Sequence, residues 1–459
     1  MASISEQLAG FAVRLGLGEV PAGVTLRAKH LLLDAIGCGF AARKEPFAGR
    51  IAASVAKLAG EGPRRVLGMA YRLPLRDAAL VNGALMHGLD YDDTHAVGVI
   101  HLTVSTFPAA LGAAAQLGAS GAELLSAYIV GVEAGARIAA VVKSGFHEVG
   151  FHPTGVVGTF ASALAAGRLM KLSPQLLAGA QGIALSLASG NLQFIEDGSW
   201  TKRIHPGWAA ACGITAAALA ADGFPAPREA YEGRFGLYRS HLTPAALEAC
   251  DFSAATAALG SAWEIDNVAV KPFPACHFVH GCADAAIALH RAGVDPERVR
   301  SIVARVPAGV VTAVCEPVAA KRRPKSDYEA KFSLPYAVAS GLARGRLGLA
   351  ELANEALAEP RIEKLMDKVE YAVDAEATFP RHYSGEVVVT LDDGRMLENR
   401  VAVNRGNPER PLANAEIETK YFENCARSLE QADARRIRDL VLDLESVKDA
   451  VQFEAALGG

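Results

Sequence analysis

Between residues 75 and 221 the chain offers helix-forming segments almost without interruption, and their faces are built from alanine and glycine. Gly112-Ala-Ala-Ala, Gly131-Val-Glu-Ala-Gly and Ala161-Ser-Ala-Leu-Ala-Ala-Gly are typical. Side chains this small let helix axes approach closely, so the stretch predicts a tight helical bundle. Ahead of it, residues 3–42 carry two helical stripes separated by Pro21: Leu8, Phe11 and Leu15, then Leu26, His30, Leu33 and Ile36. Residues 49–59 read as a further helix and 64–70 as a short extended piece.

The character changes near Trp263. Residues 263–270 look extended, a helix is expected over 281–292, and 299–306 alternates as a strand does before Pro307. Residues 326–343 and 349–357 read as helices and 369–373 as a strand. Residues 386–391 and 396–403 flank Asp392-Asp393-Gly394, a hairpin signal in which Gly394 supplies positive φ. The tail, 414–457, returns to helix. The expected architecture is therefore mainly α: a large all-α helical domain formed by residues 1–265 and 404–459, with a smaller inserted α+β lid domain over 266–403 and a cleft between them.

A net charge of −4 and the lack of a basic stripe argue against a nucleic-acid partner. The longest small apolar run, 207–221, is too short for a membrane span, and Met1-Ala-Ser-Ile-Ser-Glu-Gln has no secretory pattern. Seven scattered cysteines without a C-x-x-C pair are the usage of a reducing compartment, so a cytoplasmic location is expected.

Chemistry concentrates in His87-Gly-Leu-Asp90-Tyr91-Asp92-Asp93-Thr94-His95 and the following His101: three carboxylates, three imidazoles and a hydroxyl within fifteen residues. Helix capping explains one acid, not all three. Gly150-Phe-His152-Pro-Thr-Gly puts a histidine on a tight connection, where it either closes a turn or serves a site. Lys202, Arg203 and His205 precede the charge-poor helix of 208–221; Lys202 and His205 suit anion binding, while Arg203 reads as solvated loop. Lys271-Pro-Phe-Pro-Ala-Cys-His277-Phe-Val-His280 presents two histidines on one side of a helix start. Tyr336 places a phenol in an apolar helix, as core or as proton donor. Together these groups suit proton transfer beside a carboxylate. Nucleotide-binding glycine loops, a nucleophile elbow and H-E-x-x-H are all missing. His95, His101 and the acids could hold a metal but show no recognised ligand spacing, and the expectation is of no metal and no other cofactor. One rival takes Asp90, Asp92 and Asp93 as magnesium ligands of an all-α synthase, which requires a second acidic cluster. Another is a non-catalytic binding protein.

The ordered set of motifs resembles the MmgE/PrpD family: the His87–Thr94 stretch with His101, then Gly150-Phe-His-Pro, Thr201-Lys-Arg-Ile-His, Lys271-Pro-Phe-Pro with His280, and Lys331-Phe-Ser-Leu-Pro-Tyr336. Lys29-His-Leu-Leu-Leu-Asp-Ala-Ile-Gly-Cys38 and Asn407-Pro-Glu-Arg-Pro-Leu are also similar to it. The resemblance implies a homodimer and a metal-free site acting on a small di- or tricarboxylate. It implies catalytic roles for Asp90, His101, His152, Lys202, His280 and Tyr336. Thr94, Asp93, His205, Lys271 and His277 are the expected substrate-binding residues. Dehydration, as of 2-methylcitrate, is the first expectation. Decarboxylation, as of cis-aconitate, and epimerisation, as of iminodisuccinate, are the alternatives. One departure stands out: Leu102-Thr103 follows His101 where the family usually reads Pro-Ser, implying a differently shaped loop.

Overall fold

Ser3 starts the first helix: its hydroxyl accepts the Glu6 amide at 3.2 Å while the Glu6 carboxylate accepts the Ser3 amide at 2.9 Å, opening Ile4–Arg14. Pro21 then sets the φ that begins Ala22–Ala42. The computed structural model describes residues 2–458. Of these, 59% are helical, so the expectation of a mainly α fold holds. The chain divides into two units, one taking residues up to 194, 199–268 and 413 onward, the other 195–198 and 269–412.

In the first unit, Pro153–Leu169 and His205–Ala221 pack against each other at the centre, with Leu75–His87, Thr103–Leu117 and Gly121–Ala140 around them. Glycine makes this approach possible. A Cβ on Gly213 would lie 2.4 Å from the Ser162 Cβ, and one on Gly207 would lie 1.9 Å from the Leu80 carbonyl oxygen. Gly207→Ala is therefore expected to lower stability by about 1–3 kcal/mol, as for other overpacked cores. Urea unfolding would show it, and an unchanged midpoint would contradict the packing described. From the tail, Asn414–Cys425 lies along Ala22–Ala42.

The second unit holds a four-stranded sheet ordered Val369–Val373, Val299–Val306, Gly385–Leu391, Met396–Val401. The first pair is parallel and the others antiparallel. The hairpin turns at Gly394, φ 86°. The His280–Arg291 helix packs on the sheet and on Leu334–Arg344.

Arg203, read as solvated loop, is instead buried in the Trp200–Ile204 turn with its guanidinium over the Phe47 ring. Four readings of the elements also need correction. Residues 263–270 are not one extended segment but a 3-10 turn, Glu264–Asn267, and a two-residue strand, Val268–Ala269. The helix expected over 326–343 breaks into Asp327–Ala330 and Leu334–Arg344, because the Ser333 hydroxyl caps the Tyr336 amide and Pro335 fits only a helix start. Only Asn354–Leu357 of 349–357 is helical. The apolar run ending at Ala221 extends back through a 3-10 turn to Trp200, and at 22 residues it is long and apolar enough to cross a membrane; 61% of that window is buried inside the protein.

Candidate functional site

Helix Leu75–His87 stops at Gly88, and the loop that follows is bent back on itself. Asp90 has φ 54° and Val99 φ 48°. Positive φ is uncommon outside glycine and a true outlier for a β-branched residue, so both mark a loop held in place by its surroundings. The holders are visible. His95 and Ile100 exchange backbone hydrogen bonds at 2.8 and 3.3 Å. The His95 Nδ1 accepts the Gly98 amide at 3.2 Å, which leaves its Nε2–H to donate to Glu264 at 3.1 Å. That bond holds the Glu264 pKa down to about 2. Lys420 reaches in from the tail: its ammonium donates to the Tyr91 carbonyl at 2.6 Å, pairs with Asp34 at 2.6 Å and stacks over the Tyr91 ring at 3.7 Å.

Within this frame Asp92 works as a clamp. Its carboxylate accepts from His87 Nδ1 at 3.0 Å and from His101 Nδ1 at 3.0 Å. Burial opposes the charged form, but the two imidazoles outweigh it and hold the Asp92 pKa well below the ordinary carboxylate range. His101 Nδ1 also faces the Asp93 carbonyl at 2.7 Å and the Thr94 hydroxyl at 3.4 Å. So many acceptors assign the Nδ1 proton and leave Nε2 for proton transfer. That Nε2 lies 3.9 Å from Asp90 Oδ1, and the same oxygen accepts from Lys202 Nζ at 2.9 Å.

His152 stands just before Pro153–Leu169, its Nδ1 2.9 Å from Nδ1 of His205, the first residue of His205–Ala221. The rings of His87, His101 and His152 lie 4.7–6.1 Å apart, centre to centre. Burial, then His205 and Lys202, push the His152 pKa well down. Burial, then His87 and Lys202, bring His205 to about 4. Both are neutral at pH 7, as a base needs to be, and each keeps one ring N–H that can donate to an anion.

Asp93 is different. Burial, reinforced by Asp92 and Asp34 against the opposing hydrogen bonds from Thr103, raises its pKa to about 7. The folded state therefore keeps a proton that the unfolded chain loses near 3.8. Its stabilising contribution is complete below about pH 4 and is lost as pH rises through 7. Asp93→Asn is expected to remove this dependence: relative to the parent, the variant gains a few kcal/mol between pH 5 and 8. A constant difference across urea unfolding curves at those pH values would count against it.

The structure thus gathers Asp90, Asp93, Thr94, His101, His152, Lys202 and His205 in the first unit. Sequence reasoning left His87 and Asp92 off the list of site residues, although their place in the histidine-acid stretch was signal enough. Lys271, His277, His280 and Tyr336 belong to the second unit. There the His277 and His280 rings are 4.7 Å apart, His277 Nε2 meets Asn404 at 2.9 Å, and His280 Nε2 faces the Ala275 carbonyl at 3.1 Å. Lys271 is buried, and the Tyr336 hydroxyl donates to the Glu351 carbonyl and accepts from Arg344. The Leu102-Thr103 departure has a local role: Thr103 begins its helix and shares a 2.6 Å hydrogen bond with the Tyr128 hydroxyl.

A mainly helical chain carrying a buried histidine–carboxylate–lysine cluster fits enzymes that move protons beside carboxylates. Residues 6–249 match the MmgE/PrpD N-terminal domain and 273–446 the C-terminal domain; the chain belongs to the MmgE/PrpD family. It is 30% identical to the cis-aconitate decarboxylase of Homo sapiens over 478 residues, covering 100% of this chain and 95% of the relative. It is 28% identical to the cis-aconitate decarboxylase-like protein oryM of Aspergillus oryzae, covering 100% and 98%. The cis-aconitate decarboxylase of Aspergillus terreus is also 28% identical, at 97% and 94% coverage.

Proposed function

We propose that this enzyme is a lyase acting on a small di- or tricarboxylate, and that it removes CO2 from a cis-aconitate-like substrate. The observation that carries this reading is the buried set of Lys202, His101 and His152 around Asp90. The names of full-length relatives favour decarboxylation over the dehydration expected first. Lys202 and His152 hold retained carboxylates. Loss of CO2 leaves an electron pair that spreads through the adjacent C=C to the carbon beside another carboxylate. There protonated His101 delivers its Nε2 proton and is later reprotonated by solvent. Lys202 offsets the charge that develops beside these buried side chains.

The test is incubation with cis-aconitate, 2-methylcitrate and iminodisuccinate, followed by proton NMR in heavy water. CO2 release with one deuterium placed in the product supports the proposal. Water loss from 2-methylcitrate alone would make the enzyme a dehydratase, and no turnover or exchange with any of them would end the lyase reading. We also propose a homodimer, which light scattering showing a monomer at micromolar concentration would contradict.

A further inference from the structure

His87, His101 and His152 have a property that proton transfer does not require. Each ring is pinned through Nδ1: His87 and His101 by Asp92, His152 by His205. Nε2 of buried His87 has no hydrogen-bond partner among the described residues, and Nε2 of His101 lies 3.9 Å from Asp90 Oδ1. One ligand atom from each of the three residues lies within 4.8 Å of the other two. Rings oriented through the far nitrogen by a carboxylate or another acceptor are how proteins prepare imidazoles for a metal.

We infer that these three histidines form a capture site for a borderline divalent transition ion such as Zn2+ or Co2+. Neutral nitrogen ligands suit those ions and not Mg2+, which needs oxygen. Tetrahedral bonds of about 2.0–2.1 Å would set the nitrogens about 3.4 Å apart, so the rings must close by no more than about 1.5 Å. His152 takes part as the Nδ1–H donor to His205, which frees its Nε2 lone pair. Asp90 and Asp92 offset the repulsion from Lys202. The sequence hides this site because His152 lies 51 positions beyond His101, in a separate motif. The site overlaps the proposed carboxylate pocket, so competition between ion and substrate rests on the functional reading above, whereas ion binding does not.

The test is titration of the full chain with Co2+, followed by visible absorbance and equilibrium dialysis. One ion per chain, with d–d bands and without thiolate charge-transfer bands, is expected. His87→Ala and His152→Ala should each weaken binding at least about tenfold, and Asp92→Asn, which unpins two rings, by about 10–100-fold. Circular dichroism checks that each variant is folded. The His277–His280 pair supplies the control: His280→Ala should bind cobalt like the parent. No uptake by the folded parent, uptake unchanged by the His87, His152 and Asp92 substitutions, or uptake lost with His280→Ala would each overturn the inference. Displacement of cobalt by cis-aconitate supports competition. Tight cobalt binding that cis-aconitate leaves untouched would support the ion site and count against the substrate reading instead.

Discussion

Replacing His101 with alanine is expected to lower kcat by about two to four orders of magnitude, the usual contribution of a positioned acid or base, with little change in KM. The expectation follows from how the ring is held. Nδ1 faces the Asp92 carboxylate, the Asp93 carbonyl and the Thr94 hydroxyl, and the backbone amide donates to Thr154 at 3.1 Å. The ring cannot turn without breaking several of these bonds, so Nε2 is aimed beside Asp90 and Lys202 before any substrate arrives. Kinetics and melting must be measured on the same preparation. If His101 only braces the loop, the variant melts lower while its folded fraction turns over normally, and that result would remove the proton donor from the mechanism. Partial recovery of rate by added imidazole would strengthen the assignment, because its protonated form can enter the space the ring leaves and donate in its place.

How much of this was legible in the sequence depended on distance along the chain. The acid-histidine stretch stood out because its members are neighbours. The hairpin around Gly394 was legible because Asp-Gly between alternating strands has one common solution. The partnership of Lys202 with Asp90 spans 112 positions and that of His152 with His205 spans 53; no local pattern encodes either. Lys420 was read only as part of a helical tail, yet it fixes the Tyr91 backbone from 329 residues downstream and pairs with Asp34 as well. Local rules failed where two signals competed. Residues 326–343 have helical periodicity throughout, but the Ser333 cap and Pro335 restart the helix within it. Pro360–Asp367 was missed although Ile362, Leu365 and Met366 form one buried face.

The Lys202–Asp90 pair should give the largest loss of stability. The two side chains are only 7% and 1% exposed, so solvent screens neither charge. Forming such a pair offsets a heavy desolvation cost, and removing Lys202 takes the ammonium away from a buried carboxylate that faces His101 Nε2 at 3.9 Å. Lys202→Met is therefore expected to destabilise the fold by about 3–5 kcal/mol, as other broken buried pairs do. Turnover should fall with it, in kcat and KM together, because the ammonium would hold a carboxylate present in both the bound substrate and the transition state. Lost fold and lost chemistry can be separated with the double variant Lys202→Met/Asp90→Asn. Asparagine tolerates the left-handed backbone that Asp90 adopts at φ 54°, so it removes the buried charge without straining the loop. Stability should return to within about 1–2 kcal/mol of the parent, while activity stays lost. Urea unfolding and steady-state kinetics on the parent, the two single variants and the double variant complete the cycle. Restored stability with restored turnover would show that Lys202 serves only to neutralise Asp90, and the substrate's carboxylates would then need another cation.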